Sequence, residues 1–331
     1  MDEIKIKEII GENYNLNIKS VEKVKNTYKV QAEEGMYCIK IIRYQFAHFK
    51  FILSAILHLE EMGFVNLPKI IETNTGARYI ELLGYYAYLT EWIPSRESNF
   101  NDMNDLAMVS ENLANLHKYS QGFTLTKDMK PRIAWFSWID VFNTRKNEIL
   151  DFKNRISQKA YKSNFDLMYL SCMDEEIERA EKCIDLLKKS NYMKLMEKEV
   201  FKMGFCHHDY ANHNILISPS NKIYVIDFDY CILDTHLHDI ASLLIRAMKN
   251  DRWEFEKADC IINNYSKVCK ITKEELEVIK YFLIFPQAYW QIGIQKYWEQ
   301  QPWKEELFLI RLSKYIEDRE ERELFIEKYF S

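Results

Sequence analysis

Apolar and polar positions alternate through residues 18–24, 28–32 and 36–42, and these stretches are rich in β-branched and aromatic side chains. A period of two predicts three short strands. Lys25-Asn26-Thr27 and Glu33-Glu34-Gly35 supply the turns between them. The pattern then changes to a helical period over residues 46–62, stopped near Gly63. Residues 70–73 and 78–82 flank Asn74-Thr75-Gly76, which predicts a hairpin, and residues 85–92 predict a further strand. Residues 1–92 therefore read as a small antiparallel sheet with one helix.

From Pro94 onward the period is helical. Leu106, Val109, Leu113 and Leu116 share one face of a helix that Gly122 can end, and residues 138–202 form two or three long, charged, amphipathic helices. Asp239 can cap a helix that turns Ile240, Leu243, Leu244 and Ala247 inward. Thr272 and Glu275 form a capping box that opens another helix. The expected fold is α+β and bilobal: a small antiparallel β lobe over residues 1–92 and a larger, mainly helical lobe over residues 93–331.

One stretch breaks the helical run. Cys206-His207-His208-Asp209 leads to Asn214 and the apolar Ile215-Leu216-Ile217, and Ile223-Tyr224-Val225-Ile226 leads to Asp227-Phe228-Asp229. Ser218-Pro219-Ser220-Asn221 is the turn of a short hairpin that carries Asn214 and Asp227 to one edge, beside Asp209. A carboxylate to accept a hydroxyl proton, an Asn oxygen and a second Asp for Mg²⁺ are the parts that phosphoryl transfer from ATP requires. Asp229 falls on the same side as Asp227. It either supports the metal through water or hydrogen-bonds the loop. Lys40 shares a strand face with Cys38 and Ile42, and Cys38-Ile39-Lys40 fits the V-A-I-K pattern of a lysine that meets α- and β-phosphates.

Composition narrows the classes. The 331 residues are 47% hydrophobic with only 8 Gly and 6 Pro, enough for a sizeable core and unsuited to long flexible linkers. A net charge of −5 argues against a general nucleic-acid or anionic-membrane binder. No apolar run reaches membrane-spanning length and the first residues lack a signal-peptide core, so the expected compartment is the cytoplasm. The 7 cysteines are scattered with no C-x-x-C pair, which fits buried free thiols. His207, His208 and His213 cluster near Cys206 without the spacing of a zinc site. His207 reads as orienting the loop around Asp209, whereas His213, His236 and His238 read as packing or hydrogen-bonding structurally. The aromatic segment from Phe285 through Trp290 and Trp298 to Trp303 can wall a pocket for a cationic amine, or pack the core.

Taken together, His207-His208-Asp209, Asn214 and Ile226-Asp227-Phe228-Asp229 resemble the aminoglycoside phosphotransferase and choline kinase superfamily, whose loop reads H-G-D-x-x-x-x-N and is followed by I-D-[FW]-[DE]. Leu89-Thr90-Glu91-Trp92-Ile93, Leu113 to His117, His238-Asp239-Ile240 and Phe285 to Trp290 are similar to the CotS-like branch of bacterial spore coat proteins. The resemblance covers nearly the whole chain. It implies a protein-kinase-like fold with ATP between the lobes and a small-molecule substrate on the helical lobe. It assigns Asp209 as the base, Asn214 and Asp227 as Mg²⁺ ligands, and Lys40 as the phosphate contact. It also implies that backbone groups of Glu91 to Ile93 meet adenine and that Asp239 ties the helical lobe to the loop. The branch adds deposition in the spore coat and other coat proteins as partners.

Three departures stand out. His208 replaces the Gly before the catalytic Asp. The turn before Tyr28 has no Gly, Asn26 being the nearest substitute. The helix after Lys40 has no acid before Glu60 and Glu61, so Lys40 lacks its expected glutamate. Two readings follow: an active small-molecule kinase, and a catalytically weak kinase-fold protein with a structural role in the coat. A strand-D-x-D phosphatase or glycosyltransferase leaves Asp209 and Asn214 unexplained.

Overall fold

The computed structural model describes residues 2–249 and 253–331. The N-terminal part is a five-stranded antiparallel sheet in the order β1-β2-β3-β5-β4. Its strands are β1 (Ile18–Val24), β2 (Thr27–Ala32), β3 (Met36–Ile42), β4 (Ile80–Leu82) and β5 (Tyr85–Glu91). Strand alternation buries Val30, Ile39 and Leu89 on one face.

Two helices serve this sheet, not the single one expected. Helix α1 (Glu3–Asn13) starts on Asp2, whose side chain accepts from the Ile4 amide, and its Ile6 and Ile10 are fully buried against the sheet. Helix α2 (Phe46–Glu61) buries Phe49, Ile52, Ile56 and Leu59, and ends where Gly63 takes φ +90. The hairpin also sits elsewhere than predicted. Asn74-Thr75-Gly76 forms only a local turn, in which the Gly76 amide donates to the Thr73 carbonyl. The true β4–β5 hairpin turns on Leu83-Gly84, at φ 52 and 81, with Leu82 paired to Tyr85. Positive φ at both loop positions matches the strand twist.

The remainder is helical, as expected. Helix α3 (Met103–Tyr119) starts on Asp102, whose side chain accepts from the Asn104 and Asp105 amides. Residues 138–202 resolve into α4 (Trp138–Ser157), α5 (Asn164–Lys189) and α6 (Tyr192–Lys202). There follow α7 (Leu237–Met248), α8 (Phe255–Ser266), α9 (Lys273–Ile284), α10 (Gln287–Gly293) and α11 (Glu305–Tyr329). Thr272 and Glu275 do form a reciprocal capping box at α9. Asp239, by contrast, is not a cap: α7 begins at Leu237, so Asp239 lies inside its first turn with its carboxylate turned to other work. Gly293 is a packing requirement. A Cβ there would lie 2.6 Å from the Phe152 ring and closer still to the Tyr169 hydroxyl. The largest core cluster runs from α2 through α3 to α7, α8 and α9, and takes in the hairpin of β7 (Ile215–Ile217) and β8 (Ile223–Val225). The short strand β6 (Arg96–Glu97) pairs with β7, and so ties the segment leaving β5 to that hairpin. All seven cysteines are free thiols, four of them buried.

Candidate active site

The β7–β8 hairpin brings the predicted residues together. Ile215 pairs with Val225, and the Ile226 amide donates to the Asn214 carbonyl at 3.0 Å, so the residues just outside the two strands are held side by side. Asn214 Nδ2 donates to the Asp209 carbonyl at 2.9 Å and to Asp209 Oδ2 at 3.1 Å. That leaves the amide oxygen of Asn214 as its free acceptor end. The other Asp209 oxygen, Oδ1, accepts from Arg246 Nη2 of α7 at 2.7 Å.

The loop holding Asp209 is suspended from the helices. The His207 and His208 amides donate to the two oxygens of Asp239 at 2.8 and 2.9 Å. His117 Nε2 of α3 donates to the same carboxylate at 3.2 Å, and the Tyr265 hydroxyl of α8 donates to His117 Nδ1 at 2.8 Å. Burial alone would raise the Asp239 carboxyl, but hydrogen bonds and charge from His117 and His238 outweigh it and hold it well below the ordinary value. His117 is lowered by its own burial, against the pull of Asp239. His207 is buried, and its Nε2 donates to the Ile226 carbonyl at 3.0 Å, joining the loop to the residue before Asp227. His208 adopts φ +67, the left-handed region that a glycine would enter freely. Its ring stacks on His238 with centroids 4.0 Å apart. Burial and that neighbour push His208 down to about 3, so it is neutral.

Lys40 finds its counter-charge across the cleft. Its Nζ lies 2.9 Å from Asp227 Oδ1 and 3.1 Å from Asp229 Oδ2. Burial works to lower the Lys40 ammonium, but the two carboxylates win and raise it. Burial likewise opposes ionisation of Asp227, yet Lys40 holds it below the ordinary carboxylate value. Asp229 goes the other way, pushed up to about 6 by burial and by the charge of Asp227. The missing helix glutamate is thus replaced by Asp229. Glu60 lies instead 3.8 Å from Arg78.

Lys40, Asn214 and Asp227 line a cavity of about 430 Å³, large enough for a small ligand. The β1–β2 turn, Cys38 and Lys40 bound one side, and Asn214, Leu216 and Asp227 the other, while Glu91, Trp92 and Ile93 complete the wall. In that turn the left-handed position belongs to Lys25 (φ 52) rather than Asn26, and Lys25 Nζ reaches Glu97 at 2.8 Å. His213 is a correction: it is exposed and lines this cavity instead of packing in the core. His236 does pack, its Nδ1 lying 2.9 Å from Glu199. His117, Cys206 and Asp239 could offer donor atoms within 4.8 Å of one another. Each is already engaged, however, with Cys206 donating to the Thr235 carbonyl. Arg246 is the residue that sequence reading missed, because its partner lies 37 positions away. The aromatic segment is mostly committed. Phe285 stacks on Phe142 and Tyr289 on Tyr169, each pair at 4.1 Å, while Trp290 carries Arg145 over its face at 4.4 Å.

Sheet, hairpin and helices together define the fold of the protein-kinase-like phosphotransferases. The crystal structure of an aminoglycoside phosphotransferase from Alicyclobacillus acidocaldarius superposes with a TM-score of 0.86, at 23% identity over 97% of this chain and 94% of that one. Spectinomycin phosphotransferase APH(9)-Ia, solved with ADP and spectinomycin, gives 0.68 at 15% identity, covering 99% of this chain and 98% of that one. A microcompartment-associated aminopropanol kinase gives 0.64 at 15% identity, covering 99% and 98%. Residues 7–329 match the family described as spore coat putative kinase YutH, and the chain belongs to that family. A curated relative, the uncharacterized protein MG356 homolog of Mycoplasma pneumoniae, is 28% identical over 98 residues. The match spans about a third of that relative, 32% of its length, and 29% of this chain. No helix among the described residues is long and apolar enough to cross a membrane.

Proposed function

We propose that this protein is an ATP- and Mg²⁺-dependent phosphotransferase acting on a hydroxyl of a small molecule. The observation that carries the reading is the shared cavity. Lys40, held by Asp227 and Asp229, stands on one wall, and Asn214, bonded to Asp209, stands on the other. In this reading residues 1–92 hold the nucleotide and residues 93–331 the acceptor. The backbone of Glu91 to Ile93 meets adenine and Lys40 meets phosphate oxygens.

The donor set suits Mg²⁺. Asp227 and Asn214 offer hard oxygens, and Asp229 Oδ1 is buried with no hydrogen-bond partner. Asn214 and Asp227 would hold the ion, which when bound with ATP neutralises phosphate charge. The acceptor oxygen forms a bond to the γ-phosphorus, the bond from that phosphorus to the β–γ bridging oxygen breaks, and ADP leaves with the electron pair. Asp209 orients the hydroxyl and takes its proton, which passes to solvent. Asp239 and His207 fix the backbone of the loop that bears Asp209.

Two observations favour the second reading, a kinase-fold coat component with little activity. Asp209 is already ion-paired with Arg246, and the turn over the cavity carries Lys25 where a glycine would let backbone approach phosphate. Family membership supports spore-coat association, with coat proteins as partners, under either reading. Melting with Mg·AMP-PNP and ADP release from Mg·ATP decide between them. A nucleotide at 100 times its Kd adds about 2.7 kcal/mol, or about 4 °C for a chain this long. Asp209→Asn is expected to keep that shift and to lose turnover by at least about a hundredfold. Full turnover in the variant would remove the role given to Asp209. The absence of any shift in the native protein would favour the second reading.

A further inference from the structure

We propose that the acceptor is an anion, a hydroxylated small molecule bearing a carboxylate or phosphate group that Arg246 and Arg145 recognise. The proposal rests on the phosphotransferase reading and names the substrate class of that same site.

Arg246 stands against the catalytic loop, and Arg132 and Arg145 lie on elements packed near it. Arg246 holds Asp209 Oδ1 at 2.7 Å, and the two side chains remain 32% and 28% exposed, so an incoming molecule can reach the pair. Arg132 stands at the Asp229 end of the loop, and Arg145 lies seven residues along α4 from Trp138, whose ring is 6.3 Å from that of His238, the stacking partner of His208. Among the described residues neither has a carboxylate within ion-pair distance. Arg132 donates to the Asp229 carbonyl and the Tyr44 hydroxyl, both at 3.2 Å. Arg145 donates to the neutral Gln287 Oε1 at 2.6 Å and lies on Trp290. The acid nearest Arg145, Glu148, accepts from Trp290 Nε1 instead. His208 and His238 stack face to face beside them.

Among the described residues, the C-terminal tryptophans offer a cationic acceptor no comparable home. The tryptophans that could cage an ammonium are covered by the protein's own cations: Trp290 by Arg145, Trp298 by Arg155 and Trp303 by Arg311, at 4.4, 5.8 and 5.1 Å. An amine beside Asp209 would meet Arg246 at close range and be repelled. A carboxylate or phosphate would instead take the guanidinium in a two-point contact. In doing so it draws Arg246 away from Asp209 and frees Oδ1 for the neighbouring hydroxyl of the same molecule. The ion pair that quiets Asp209 in the absence of acceptor thereby becomes the device that selects it.

The test is calorimetric titration of the full chain, loaded with Mg·AMP-PNP, with glycerate and glycerol 3-phosphate as anions, choline, ethanolamine and kanamycin as cations, and glycerol as the neutral reference. ADP release with Mg·ATP follows for any binder. At least one anion is expected to bind at least tenfold more tightly than glycerol and every cation more weakly. Arg246→Gln and Arg145→Gln should each erase most of that preference while keeping the AMP-PNP melting shift. Lys153→Gln, a surface lysine paired with Asp174, should change nothing. Tighter binding of a cation, equal binding of anions and glycerol, or an anion preference that survives both variants overturns the proposal. If AMP-PNP itself gives no shift, the phosphotransferase reading fails separately. The titration on nucleotide-free protein then still decides whether the arginines form an anion site.

Discussion

Lys40 shows how a single side chain can satisfy a requirement by an unexpected route. The strand pattern was enough to aim it into the cleft, and its neighbour Cys38 occupies the small position of the motif. Its partner was not legible, because Asp229 lies 189 positions away across the cavity. The same distance problem hid Arg246. Asp209, Asn214 and Asp227 were readable because their mutual spacing is short and hairpin geometry forces them together. Lys40→Met should leave two carboxylates facing each other with no cation between them. Breaking such a buried pair is expected to cost about 3 kcal/mol, measured by urea unfolding at neutral pH. It should also weaken Mg·AMP-PNP binding at least tenfold. A variant as stable as the native chain would show that the ion pair contributes nothing to folding.

Helices and strands differed in how openly they announced themselves. Long amphipathic helices such as α3 and α5, and the reciprocal cap of α9, followed directly from periodicity and cap chemistry. Helix α1 was missed although Ile6, Ile9 and Ile10 mark one helical face, because the strand signals after it set the reading of the whole region. The β4–β5 hairpin was misplaced because Asn74-Thr75-Gly76 is a stronger turn signal than Leu83-Gly84. Strand pairing, not local turn preference, chose the latter. Packing between elements makes Gly293 irreplaceable. Gly293→Ala must displace Phe152 or Tyr169, and a loss of about 1–3 kcal/mol is expected from the urea midpoint. Glu199 links α6 to the start of α7 through His236. Burial raises the Glu199 carboxyl, but His236 and Lys202 outweigh it and hold it at about 2, against 4.5 as the ordinary value. A depressed carboxyl contributes stability that is complete above pH 4.5 and is lost as pH falls toward 2. That contribution is at most about 3 kcal/mol. Glu199→Gln should therefore unfold more easily at pH 7 and lose less of its stability between pH 5 and pH 3, as unfolding titrations at those pH values will show.

At the scale of the whole molecule, the layout was more legible than the details. Composition and periodicity fixed a small sheet followed by helices, and 23% identity is enough to preserve that arrangement at a TM-score of 0.86. A net charge of −5 says nothing of where charges fall, and gave no sign of Arg246 against Asp209 or of Arg145 on Trp290. The hydrogen bonds from the His207 and His208 amides to fully buried Asp239 carry one more consequence. Because that carboxylate is braced in turn by His117 and Tyr265, deuterium can replace those two amide protons only when the helical core itself opens. Exchange mass spectrometry should find them among the slowest in the chain, slower than the amides of the β1–β2 turn. On heating, the segment that bears Asp209 would then be among the last to lose its order.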